Sequence, residues 1–196
     1  MNEKFFDLRK EKQDRMINAS LKWFAMNGYR HASTDDIVKE AAISKGLIFH
    51  YFESKLGLYE FIYDYSVRYM ILELSVVRES GNLFDVMKQV EFARMRAMKG
   101  YPYMQQFLNR SMSEEVGEAL MIIEDKKALL LEEYDRIDGL IDYEAFPAGV
   151  DGRKLRRMLD FTVKGLMTER FQNASFQPEM LYEEIAEYLD LVKKLV

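Results

Sequence analysis

The sequence predicts an all-α protein of 196 residues. Three observations carry that expectation. Only 3 prolines and 10 glycines interrupt the chain; the stretches between them are rich in Ala, Leu, Met, Glu, Lys and Arg, the better helix formers; and apolar residues recur every three or four positions, not every two. Apolar residues make up 48% and charged residues 31%, the balance of a globular chain able to bury a core in one domain or two small ones.

The elements follow in order. Met16, Ile17, Leu21, Phe24 and Ala25 form a helical stripe over residues 9 to 27, and Asn27-Gly28 supplies its stop. Ser33, with Asp36 three residues on, reads as a variant capping box, and Asp35 and Asp36 suit the positive end of a helix dipole. A second helix is expected from about Thr34 to Ala41, burying Ile37, Val38 and Ala41. Ala42-Ile43 follows, and Ser44 offers its hydroxyl as the N-cap of a third helix. Two short helices across a three-residue turn have the spacing of a helix-turn-helix, whose second helix enters the major groove. At 100 degrees per residue, Ile48 and Phe52, with Phe49 beside them, fall on the packing side of the third helix. Gly46, Leu47, His50 and Tyr51 lie around the opposite side.

A fourth helix is expected from Glu53 to about Ser80, capped by Ser54, carrying Leu58, Phe61, Ile62, Tyr65, Tyr69 and Leu72, and closed by Gly81-Asn82. Its length, about 40 Å, suits a lever. Gly57 near its start either softens it or is simply tolerated. Pro102 suits the first turn of a further helix. Between residues 84 and 135 the apolar residues are soft or aromatic, among them Met87, Phe92, Met95, Met98, Phe107 and Met121, a composition that fits either an adaptable pocket or an ordinary core. If buried, Arg94 or Arg96 needs an anionic partner, and exposure is the simpler reading. Glu114, Glu115 and Glu118 read as acids at a helix start, not as a catalytic pair. Asp151 caps a helix with Leu155, Met158, Leu159, Thr162, Val163, Leu166, Met167 and Phe171 at helical spacing. Beyond Phe176-Gln177-Pro178, a final helix carries Leu181, Ile185, Tyr188, Val192 and Leu195 as a seam that wants a partner helix.

Charge and composition exclude several chemistries. With no cysteine, disulfides, thiolate metal sites and a cysteine nucleophile are ruled out, and 2 histidines make a histidine metal site improbable. No apolar run reaches the roughly 18 residues of a membrane span, and the charged start does not resemble a signal peptide, so a cytoplasmic location with no membrane partner is expected. The net charge of -5 is unevenly spread: residues 1 to 55 balance at +2 and residues 56 to 196 at -7. That is the sign pattern of a nucleic-acid-binding head on an acidic body.

The run "STDDIVKEAAISKGLIFHYFESKLGLY" closely resembles the helix-turn-helix signature of the TetR (tetracycline repressor) family of bacterial transcription regulators, over about residues 9 to 60. Two positions depart from the family pattern. Ala42 stands where glycine is usual, and Phe49 replaces a tyrosine whose hydroxyl commonly touches a phosphate, so Phe49 is expected to pack. The resemblance implies a DNA-binding head at residues 1–53 and a helical effector-binding and dimerisation body at residues 54–196. On the head, Thr34, Ser44, Lys45, Tyr51 and Lys55 are expected to meet phosphates, Gly46 to allow close approach, Leu47 to reach a thymine methyl, and His50 a base edge or phosphate.

In the body the resemblance implies a small-molecule effector lined by Phe92, Met95, Phe107 and Met121. It also implies a homodimer through Leu155, Leu159, Val163, Leu166, Leu181, Ile185, Tyr188 and Val192, with the competing expectation that these stripes face the same chain. The implied function is a ligand-responsive repressor on a palindromic double-stranded DNA operator, with no cofactor, metal or catalytic residue. A helical adaptor that binds proteins without DNA, and a helical-bundle enzyme, are the alternatives. No GxSxG, HExxH, P-loop or dinucleotide glycine motif supports the enzyme.

Overall fold

A computed structural model describes residues 3–78, 81–172 and 176–196. Among them every regular element is helical: a short 3-10 turn at Glu3–Asp7, then α1 (Lys10–His31), α2 (Thr34–Ala41), α3 (Lys45–Phe52), α4 (Lys55–Leu74), α5 (Leu83–Gly100), α6 (Met104–Ser111), α7 (Gly117–Asp138), a 3-10 turn at Tyr143–Ala145, α8 (Gly152–Phe171) and α9 (Pro178–Lys193). None is long and apolar enough to cross a membrane. The chain divides into two compact units, Met1–Met70 with Gly100–Leu131, and Ile71–Lys99 with Glu132–Val196.

In the first unit, the stripe of α1 buries Met16, Ile17, Leu21, Phe24 and Ala25, and α1 packs on α2 and α6. Gly28 breaks the helix at φ 67°, ψ 177°, a conformation that favours glycine, and one further turn then carries the chain to His31. Phe24, Tyr59, Tyr63 and Phe107 form an aromatic core, with Tyr59 edge-on to Phe24 at 5.0 Å and to Phe107 at 5.6 Å. α4 is shorter than expected. It ends at Leu74, and Gly81-Asn82 does not close it but starts α5, where the Asn82 side chain accepts the N–H groups of Phe84 and Asp85 at 3.0 and 3.3 Å. Residues 79 and 80, to which α4 was expected to run, lie outside the described residues.

In the second unit Asp151 caps α8 as expected, accepting the Lys154 N–H at 3.0 Å. Leu155, Leu159 and Val163 on α8 and Leu181 and Ile185 on α9 are buried within this unit, and Leu166 and Val192 are half-buried. Tyr188 is 44% exposed. The expected seam is thus largely taken up by the chain's own packing of α8 on α9, because each stripe has an apolar partner within reach. Exposed instead are Met158 and Phe161 on α8 and Met180, Tyr188 and Leu191 on α9.

Arg94 departs from the exposed position expected of it. Its guanidinium is buried, bonded to Glu91 at 2.6 Å and to the Tyr134 hydroxyl at 3.1 Å. Burial pushes the Glu91 carboxyl above its usual range, opposed by Arg94. Burial works against the Arg94 charge, and Glu91 with Tyr134 outweighs it, so Arg94 stays firmly protonated. Arg96 is exposed and pairs with Glu73 at 2.9 Å.

Candidate nucleic-acid interface

The site is built by α2, α3 and the turns that join them to their neighbours. Ser33 caps α2, its hydroxyl accepting the Asp36 N–H at 3.4 Å, with Asp35 and Asp36 in the first turn. Ile37 and Ala41 are buried, while Val38, expected in the core, is only half-buried. The helix ends with Ala42 in the left-handed conformation at φ 51°, ψ 52°. There the Ala42 N–H bonds Lys39 O and the Ile43 N–H bonds Val38 O, both at 3.2 Å. This pairing is the Schellman stop, in which glycine is the usual residue.

Ser44 was expected to cap α3 through its hydroxyl, but no side-chain cap forms. The turn is closed by backbone instead, Leu47 N–H to Ser44 O at 3.0 Å. Ile48 and Phe52 anchor α3 in the core. Gly46 and His50 are exposed, Thr34, Leu47 and Tyr51 are half-buried, and Phe49, expected to pack, is 39% exposed. A side chain one residue beyond Ile48 is rotated about 100 degrees from it, too far to share its pocket.

Two cations already have partners. Lys45 pairs with Asp35 at 2.6 Å, both side chains well exposed, an arrangement worth little and readily exchanged for a phosphate. Lys55 donates to Arg30 O at 3.1 Å and lies 4.7 Å from the Tyr29 ring centre. Burial lowers its pKa. Lys55 therefore closes the carbonyl end of α1, a role its place in the motif does not reveal.

Phe5 went unnoticed in the sequence. It is fully buried, edge-on to Tyr51 at 5.9 Å and Phe61 at 4.8 Å, and tilted on Phe52 at 5.5 Å. The buried Gln13 amide holds its segment by donating to Phe6 O at 3.0 Å and Leu8 O at 2.7 Å. The only sequence signal was a Phe5-Phe6 pair in an otherwise charged start. Behind α3, Glu53 sits at φ 64°, the Ser54 N–H reaches Phe52 O at 2.6 Å, and the Ser54 hydroxyl caps α4 by accepting the Gly57 N–H at 3.0 Å. A Cβ on Gly57 would collide with the Phe52 carbonyl oxygen, so this glycine is required by close approach.

The four expected effector-lining residues are divided between the two units. Phe107 is in the aromatic core of the first unit, and Met121, on α7, is 79% exposed. In the second unit Met95 is buried, and Phe92 is largely exposed with its ring 5.5 Å from Tyr182. Three clefts, of about 400, 480 and 260 Å³, are lined by none of the four. Tyr63, nearly fully buried, has a hydroxyl with no hydrogen-bond partner among the described residues.

Residues 16–62 match the model of the bacterial regulatory proteins of the tetR family. The HTH-type transcriptional regulator AcrR of Shigella flexneri is 24% identical over 203 residues, covering 94% of this chain and 89% of AcrR. An uncharacterized HTH-type transcriptional regulator of Bacillus subtilis, YuxN, is 42% identical over 59 residues, 28% of this chain and only 20% of YuxN. Among solved structures, a TetR family transcriptional regulator from Chloroflexus aurantiacus superposes with a TM-score of 0.66 at 18% identity, covering 98% of this chain and 94% of that one. FadR from Bacillus subtilis, solved in complex with stearoyl-CoA, gives 0.56 at 19% identity over 89% and 96% of the two chains.

Proposed function

Because this chain belongs to the tetR family of bacterial regulatory proteins and carries its DNA-binding helix-turn-helix, we propose that it is a ligand-responsive repressor. A homodimer holds a palindromic operator through two copies of α3, and a small, largely apolar effector releases it. The observation that carries this reading is the outward face of α3: Gly46, Phe49 and His50 are exposed and Leu47 is half-buried beside them, while Ile48 and Phe52 anchor the helix from behind. Thr34, Ser44 and Lys45 supply phosphate donors around that face, and Lys55 joins them only by leaving Arg30 O. Tyr51, half-buried against Phe5, is the further proposed phosphate contact.

A second copy supplies the other half-site. Met158, Phe161, Met180, Tyr188 and Leu191 are the apolar residues left exposed on α8 and α9 for it. The effector reading draws on the buried Tyr63 hydroxyl beside Phe107, which has no hydrogen-bond partner among the described residues; such an unmet bond costs about 1–3 kcal/mol. Phe92 and Met95 remain proposed lining residues of the second unit. FadR, of the same fold, holds stearoyl-CoA, so a ligand with a long apolar part fits this class. To switch the protein, the effector must favour the non-binding state by roughly 1 to 3 kcal/mol. A regulator acting on DNA is proposed to work in the cytoplasm, and no described helix is long and apolar enough to cross a membrane.

Selection of duplexes from a random pool with the purified chain tests the proposal. Recovery of an inverted repeat with half-sites about one helical turn apart is expected, and recovery of no preferred sequence at low salt overturns it.

A further inference from the structure

We propose that Phe49 is a specificity-determining residue of this interface and reads thymine through its 5-methyl group, an assignment that rests on α3 being the groove-entering helix. The rings that follow Phe49 in α3 are engaged. His50 and Tyr51 meet edge-on at 4.9 Å, Tyr51 meets Phe5, and Phe52 is tilted on Phe5 at 5.5 Å and on Phe61 at 4.8 Å. Among the described residues Phe49 has no ring against it, and more than a third of its surface is open.

Helical side chains lean toward the N-terminus and cover the turn before their own Cα. For Phe49 that turn holds Gly46, which has no side chain and nothing within 4 Å of where a Cβ would stand. Gly46 therefore puts no side chain over the ring, and the half-buried Leu47 is its apolar neighbour in sequence on α3. A phenyl ring cannot bond a phosphate or a base-edge donor or acceptor. The one apolar feature that base edges offer in the major groove is the thymine methyl, and contact with it removes exposed apolar surface from water. Polar contacts fall to the neighbours His50, Ser44 and Lys45, so apolar and polar readout are divided along one helix face.

The test uses the full chain and a duplex it selects. Each thymine is replaced in turn by deoxyuridine, which removes only the 5-methyl group, and binding is followed by fluorescence anisotropy for the native chain, Phe49→Ala and Phe49→Gln. The native chain is expected to lose about fourfold in affinity at one thymine of each half-site, the worth of one buried methyl of about 0.8 kcal/mol. Both variants are expected to bind more weakly and to be indifferent to uracil at that position. Gln is a good helix former, so it gives the same readout if the alanine variant proves unstable. Variants as sensitive to every uracil as the native chain, or a native chain that ignores all of them, overturn the assignment while leaving α3 as the groove helix. A native chain that selects no duplex overturns both.

Discussion

The phenol of Tyr29 donates to Glu118 at 2.7 Å, which bonds the last turn of α1 to the first turn of α7. The Tyr29 N–H adds a second tie, to Glu114 at 3.2 Å, and the other Glu114 oxygen accepts the N–H groups of Glu115 and Val116 at 3.0 Å. The acids expected only to suit a helix dipole thus also anchor the head helix. Burial, aided by Glu118, pushes Tyr29 up to about 12, and burial pushes Tyr59 and Tyr101 up to about 12 as well. Groups with folded pKa values above the ordinary value near 10 contribute stability that is complete below about pH 10 and lost as pH rises toward 12. Urea unfolding at stepped pH is expected to show a plateau and then a fall across that window, and Tyr29→Phe is expected to make the fall shallower.

Gly57 is held by the Phe52 carbonyl, so Gly57→Ala forces α4 away from the end of α3. The expected loss is about 2–3 kcal/mol, the scale of overpacking against backbone. Chemical denaturation measures it; an unchanged midpoint contradicts the contact.

Ala42 has the opposite problem, a side chain where the backbone is left-handed. Ala42→Gly is expected to stabilise the protein by about 1 kcal/mol, the strain relieved exceeding the extra chain entropy. The same denaturation curves check the sign.

Much of the head was legible because its signals are local. Ser33 and Gly28 mark ends through their own side-chain and backbone preferences, and the 3.6-residue period placed Ile37, Ile48 and Phe52 inward. What escaped depends on partners distant in sequence or on geometry that only the turn creates. Phe5 finds Tyr51 and Phe61 far along the chain, and Gly57 matters because a tight turn at Glu53 swings the Phe52 carbonyl against it. The motif marks Lys55 only as a phosphate contact, whereas its hold on Arg30 O and its place over the Tyr29 ring depend on residues some 25 positions earlier. The stripes of α8 and α9 gave the spacing of a seam without saying whose core it served.

Glu91 and Arg94 were unreadable for a related reason, since nothing in the sequence marks them as buried. Glu91→Gln leaves the Arg94 charge without its counterion and is expected to cost about 3–5 kcal/mol, whereas replacing both residues by Leu or Met is expected to be close to neutral. A thermodynamic double-mutant cycle separates the two results.

The salt dependence of duplex binding, native against Lys45→Ala, tests most directly whether α3 meets DNA. Among the described residues Lys45 has only an exposed Asp35 as its ion-pair partner, so its loss is expected to leave stability unchanged. It is expected to reduce the slope of log K against log salt by about two, one phosphate contact for each protomer of a dimer. An unchanged slope, or binding indifferent to salt in the native chain, contradicts the placement of α3 on the duplex.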